Sequence, residues 1–430
     1  MAHPDFDAAA RHVTREAVRA ALVDMVDIRS PTGGEIEMAR YITARLSACG
    51  IASHLQEVDD GRPNAVGHIP GTGEGLNLLF TGHMDTSYGG DEDHLVGDGF
   101  KAKAVERDGW IWGLGSMNMK SGLAAALIAM EAVARAGIRL AGDLSYGGVV
   151  GEIEKAPVEE FRGLEFSGYG AGSRYLVTHG GTADFAILAE PTGLRICTAN
   201  MGVLWVRITV PGTVAHSAFA RRPGHVNAID LMAELQAVLR EWITLYEQET
   251  EYMGENANAT VAAIRGGDPW RLARNPHGCS LYLDIRTVPG QSAEAIKRSL
   301  RRLLAGFAAR TGTPEPELYV YITDPAMEIS EDLAVVDALG AAQSEIMGER
   351  PASIVRRPGA DGVHFTAYGV PCAVFGPAGR LHPDHAGKAM HAIGEHVAID
   401  DVLIASRIYL AAALDLCNRP APDAADAGRA

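Results

Sequence analysis

Leu79-Phe80-Thr81-Gly82-His83-Met84-Asp85, followed later by Gly113-Leu114-Gly115-Ser116-Met117-Asn118-Met119-Lys120 and the helix-forming run Ser121–Ala136, is the stretch that decides the fold. An apolar strand that stops at His-x-Asp, then a glycine-rich loop opening a helix, is the pattern of an α/β sheet, where sites collect at strand ends. A histidine there is an economical metal ligand: one ring nitrogen binds the ion while a carboxylate, Asp85, holds the other N–H. A second oxygen ligand at the mouth of the next helix would complete one side of a hydrolytic metal site. Position 118 carries an amide, not a carboxylate.

Outward from this stretch, strand-like and helical runs alternate. Arg15 to Cys49 holds two helical patterns around the turn-rich Arg29-Ser30-Pro31-Thr32-Gly33-Gly34. Strands are expected at Leu76–Phe80, Leu144–Val150 and Phe185–Ala189. Near Met201 the texture changes to strands at Leu204–Val210, Ser280–Arg286 and Leu318–Ile322 with long helices at Asn227–Tyr246 and Ala293–Thr311, as in a small α+β sandwich. After Pro325 the first texture returns, with a strand at Cys372–Phe375 and a closing helix at Asp400–Leu416. The expectation is an α/β catalytic domain, a mixed sheet flanked by helices, from 1–200 and 324–430, with an α+β lid or dimerisation domain inserted at 201–323.

The length of 430 residues calls for two domains, and 47% apolar with 21% charged residues is a globular composition. A formal net charge of −16 argues against nucleic acid or an anionic membrane as partner. Leu123 to Met130 is far short of a membrane span, and the N-terminus lacks the apolar core of a signal peptide. Five scattered cysteines without metal-type spacing read as thiols of a reducing cytoplasm.

Fifteen histidines make any single one more ordinary than functional; His83 escapes through its strand end and Asp85. Glu190, in Leu188-Ala189-Glu190-Pro191-Thr192, also follows an apolar strand, where a carboxylate is costly unless paired or ligating. Glu152 and Glu154 flank Ile153; if the preceding strand persists, both face one side. That is either a solvated edge or a base beside a ligand. His391 precedes the closing helix and alone reads as a loop histidine. Gly113 to Ser121 imitates a phosphate loop but lacks the glycine directly before the lysine. Trp110, Trp112 and Trp205 read as core, although Trp112 lies close enough to the motif to line a pocket.

In order along nearly the whole chain, Gly82-His83-Met84-Asp85, Gly113 to Lys120, Glu152, Glu190-Pro191-Thr192, Pro211 to Ser217, Gly224 to Ile229, Gly359-Ala360-Asp361, Phe375-Gly376-Pro377 and His391 with Glu395 resemble the di-zinc aminoacylase and carboxypeptidase family. That family includes acetylornithine deacetylase, succinyl-diaminopimelate desuccinylase and glutamate carboxypeptidase. The resemblance implies His83 and Glu190 as ligands of one metal and His391 of the other. It implies Asp85 as orienter of His83, Glu152 as general base and His216, from the inserted domain, as donor to the oxyanion. Asn227, Arg286 and Asp361 match its substrate-binding positions, and its inserted domain usually makes a dimer contact.

Two positions depart from the family: Asn118 replaces a bridging Asp, and Ile153 a second Glu. Two divalent ions about 3.5 Å apart repel by roughly 19 kcal/mol at an effective dielectric near 20. An amide offsets little of that, so one ion per chain, manganese or zinc, is expected, held by His83, Glu190 and Asn118 with Glu154 as a substitute ligand. The expected activity is cleavage of a C–N bond in a small carboxylate-bearing molecule, specifically deamination of an aromatic amine such as 5-nitroanthranilate. The alternatives are an N-acyl amino acid deacylase or dipeptidase and, from another class, a non-catalytic binding relative. A homo-oligomer, dimer or higher, is expected.

Overall fold

The structure, a computed structural model, describes residues 3–388 and 393–421. The chain divides into two compact units. The first runs to Thr198 and resumes at Ile329–Ile354 and from Ala360; the second is Ala199–Glu328 with Val355–Gly359.

The first unit is built on a mixed sheet of β1 (Ala52–Asp59), β2 (Arg62–Ile69), β3 (Leu78–His83), β4 (Leu144–Val149), β5 (Phe185–Leu188), β6 (Cys197–Asn200, where the chain leaves for the second unit) and a late strand, Cys372–Val374. The order is β1-β2-β4-β3-β5, then the late strand, then β6. β4, β3, β5 and the late strand are mutually parallel, and the strands outside them run antiparallel. β3 is buried at every residue, the signature of a parallel strand covered on both faces.

Helices flank the sheet. Lys120–Arg135 packs with Ile399–Leu416 and Arg15–Asp27, and Ile36–Ala48 packs on β1 and β2. Lys120–Arg135 is almost wholly buried because small residues dominate it. At Gly122 a β-carbon would lie 1.8 Å from the Ala189 carbonyl oxygen, so only glycine lets the helix approach the end of β5.

The second unit is a four-stranded antiparallel sheet, with β7 (Gly202–Pro211), β8 (Ala259–Gly266), β9 (Gly278–Thr287) and β10 (Glu317–Asp324) in the order β8-β9-β7-β10. With the helices Ala228–Glu249 and Ala293–Thr311 the connection is β-α-β-β-α-β. Leu231, Leu235 and Leu239 from one helix and Ile296, Leu300, Leu304 and Phe307 from the other supply the helical side of its core. Among the described residues no helix is long and apolar enough to cross a membrane.

Candidate metal centre

Three neighbouring parallel strands deliver the centre. In the order β4-β3-β5, His83 is the last residue of β3, Glu152 follows β4 and Glu190 follows β5. Register fixes their level: His83 pairs with Val149 and Thr81 with Leu188, so all three side chains emerge at one edge of the sheet. β4 ends at Val149, and Gly151, at φ +63°, turns the chain sharply before Glu152. The alignment of Glu152 with Glu154, which held only if the strand persisted, therefore does not arise. Past Val149 the period of two no longer applies.

One ligand atom from each of His83, Glu152 and Glu190 lies within 4.8 Å of the other two, and all three residues are buried. His83 Nε2 is 3.4 Å from Glu190 Oε1, 3.5 Å from Glu152 Oε2 and 3.2 Å from Asn118 Oδ1. Its Nδ1 lies 2.9 Å from the Asp85 main-chain oxygen and 3.4 Å from Asp85 Oδ1, which places the proton on Nδ1 and leaves Nε2 to bind. Glu154 is half-buried and falls outside the group. His391 lies outside the described residues.

The Asp85 carboxylate is occupied mainly elsewhere. Oδ1 accepts the Glu152 N–H at 3.0 Å, and Oδ2 accepts the Ile153 N–H at 3.2 Å and the Thr32 hydroxyl at 2.8 Å. Burial would raise this carboxyl, but His83, the Glu152 N–H and Thr32 hold it below its ordinary value. Asp85 thus fixes the base as well as the ligand.

The charges fit a cation. Burial works to lower the His83 imidazole, yet Glu152, Asp85 and Glu190 together push it well above its usual value. Burial first, then Glu190, Asp361 and Asp85, drive the Glu152 carboxyl well up against the pull of His83. Three acids converging on one buried imidazole are undercompensated, and a divalent ion is the group that corrects this.

Asn118 is held from behind. The N–H groups of Met117 and Asn118 donate to Glu395 Oε2 at 3.1 and 2.9 Å. Burial raises the Glu395 carboxyl, opposed by these N–H groups and by Lys120. Lys120, lowered by burial to about 7, donates to the Ile28 carbonyl at 2.7 Å. Thr32 and the clamping part of Glu395 were not legible in the sequence as site features; the turn-rich stretch around Thr32 was its only signal.

Asp361 is 2% exposed and accepts the Ser173 hydroxyl at 2.6 Å, so its effect reaches Glu152 as charge. The other expected site residues belong to the second unit. His216 is exposed, and its Nδ1 accepts the Ala218 N–H at 3.1 Å. Asn227 caps the helix Ala228–Glu249 by accepting the Ile229 N–H at 2.9 Å. Arg286 pairs with Asp284 at 2.9 Å.

Comparison with known proteins agrees with this architecture. An N-formyl-4-amino-5-aminomethyl-2-methylpyrimidine deformylase of Bacillus subtilis (strain 168) is 26% identical over 405 residues, 88% of this chain and 89% of that protein. A tripeptidase structure from Staphylococcus aureus subsp. aureus Mu50 superposes with a TM-score of 0.73 at 19% identity, covering 94% of this chain and 99% of that one. A Bacillus subtilis structure described as a dinuclear metal-binding peptidase of the M20 family gives 0.63 at 14% identity, covering 94% and 99%. Residues 79–415 match the sequence pattern of Peptidase family M20/M25/M40, with His83, Glu152 and Glu190 inside the matched span, and the chain belongs to that family of metal-dependent hydrolases acting on amide and peptide C–N bonds.

Proposed function

We propose that this chain cleaves a C–N bond of a small carboxylate-bearing substrate with a single divalent ion, held by His83, Glu190 and the Asn118 amide oxygen. The observation that carries this is the amide at 3.2 Å from His83 Nε2, where a bridging carboxylate would be needed to offset a second cation. The ion, when bound, supplies a Lewis acid that lowers the pKa of a water and polarises the group under attack.

Glu152, whose carboxylate oxygen stands 3.5 Å from His83 Nε2, takes the proton of the attacking water and passes it to the leaving nitrogen. Its position is set through its own N–H by Asp85. His216 is the proposed donor to the developing negative charge: with Nδ1 engaged as an acceptor, the neutral ring carries its proton on Nε2. Asn227 and Arg286 are the proposed contacts to the substrate.

For the bond itself we carry deamination of an aromatic amine such as 5-nitroanthranilate, in which water adds to the ring carbon and ammonia leaves. Asn118 and Ile153 set the site apart from a two-metal centre balanced by carboxylates, which leaves room for a C–N bond other than an amide but does not itself select the ring. The second reading, deacylation or dipeptide cleavage, is favoured by the likeness to a deformylase. The test loads the protein with Mn²⁺ or Zn²⁺ and assays 5-nitroanthranilate, N-acyl amino acids and dipeptides in parallel. Ammonia release from the first supports deamination, and new amino groups from the others support deacylation. Tight metal binding with turnover of none would leave a binding protein and sink both.

A further inference from the structure

The first unit contains a cavity of about 290 Å³ lined in part by Arg11, His12, Thr14, Arg45, Glu131 and Arg135. It is remote from the metal centre. Glu131 lies eleven residues along the helix Lys120–Arg135 from Lys120, about 16 Å at the rise of an α-helix.

Glu131 and Arg45 form a closed pair at this cavity. The buried Glu131 carboxylate accepts Arg45 Nε at 2.8 Å and Nη2 at 2.9 Å, while Arg45 Nη1 donates to the Tyr41 hydroxyl at 3.0 Å. Each charge of that pair cancels the other. Arg135 Nη2 stands 3.6 Å from the same, already neutralised carboxylate, and Arg135 is half exposed. Arg11 is exposed, and among the described residues its side chain donates through Nε to the Ala8 carbonyl at 2.7 Å, with both terminal amino groups left for another acceptor. Arg11, Arg45 and Arg135 against Glu131 therefore leave two guanidinium groups in excess among the described residues lining the cavity, in a chain whose net charge is −16.

Guanidinium forks match the paired oxygens of carboxylate and phosphate. The helix Arg15–Asp27 also starts at the cavity, capped by Thr14, and presents its positive end there. The volume is at the small end of small-molecule sites, enough for a compact metabolite. We infer that this cavity binds a small dianionic oxyanion, a phosphate or a dicarboxylate, between Arg11 and Arg135.

The test is calorimetric titration of the metal-loaded full chain with inorganic phosphate and, separately, succinate, at constant ionic strength set with NaCl. These two arms distinguish the two sources of the charge. Because anions also ligate metal ions, the titrations are repeated on Glu190→Ala and on the double variant Arg11→Gln/Arg135→Gln. Both arginines are exposed, so the double variant should keep its melting temperature in the absence of anion. The expected result is one saturable site per chain for at least one probe, retained in Glu190→Ala and weakened at least tenfold in the double variant. Any other pattern, including no saturable binding of either probe or binding that survives the double substitution, overturns the inference.

Discussion

Replacing Asn118 by Asp puts a carboxylate oxygen where an amide oxygen now lies 3.2 Å from His83 Nε2. In the metal-free chain this adds a fourth acid to Asp85, Glu152 and Glu190 around one buried imidazole, so the variant should melt lower than the unmodified protein. A divalent ion reverses the sign. A unit charge about 4 Å from a doubly charged ion gains about 8 kcal/mol at an effective dielectric near 20. If three quarters of that is lost to desolvation, about 2 kcal/mol remains, or roughly 30-fold tighter binding. Competitive titration against a metal-sensitive dye measures the affinity, and melting with and without metal shows the crossover. Metal quantitation after dialysis should give no more than one ion per chain for the unmodified protein and permits a second for Asn118→Asp. Unchanged affinity in the variant, or two ions retained by the unmodified protein, would refute the single-ion mechanism and restore an ordinary dinuclear one.

Glu152→Gln should lower kcat by at least about 10³-fold while metal stays bound, whereas Glu190→Ala should release the ion; loss of metal from Glu152→Gln would make Glu152 a ligand rather than the base. His216→Ala should lower kcat far more than it weakens metal binding, and equal losses in both would make His216 a ligand. Asp85→Asn keeps the main-chain bond to His83 Nδ1 but weakens the hold on the Glu152 and Ile153 N–H groups, so kcat should fall about 10- to 100-fold with a smaller loss of metal affinity, read by the same dye titration. Gly122→Ala, which in an open helix would stabilise, should instead cost about 1–3 kcal/mol in urea unfolding and weaken metal binding, because the new β-carbon collides with the Ala189 carbonyl beside Glu190. A stabilised variant with unchanged metal affinity would show that the helix can retreat freely.

What was legible in the sequence follows from how each residue is buried. β3 and the helix Lys120–Arg135 are covered almost everywhere, so their apolar runs announce them, and the α/β class with them. β8 lies at the sheet edge with most of its residues exposed; it has no apolar alternation to read and went unrecognised. The hairpin of β1 and β2 was missed for a related reason: β1 is exposed or half-buried throughout, and only its partner enters the core. At the centre, His83 and Glu190 were legible because each ends an apolar strand. The role of Asp85 was legible only in half. Its spacing from His83 suggests an orienting carboxylate, but the shorter bond to Nδ1 comes from the Asp85 main chain, which any residue provides. What needs the side chain is the Glu152 turn, 67 positions away, where two N–H groups have no strand partner once β4 ends at Val149. A buried N–H that the sheet has abandoned must find an acceptor. Sequence spacing cannot display such a long-range requirement, although it determines where the base stands.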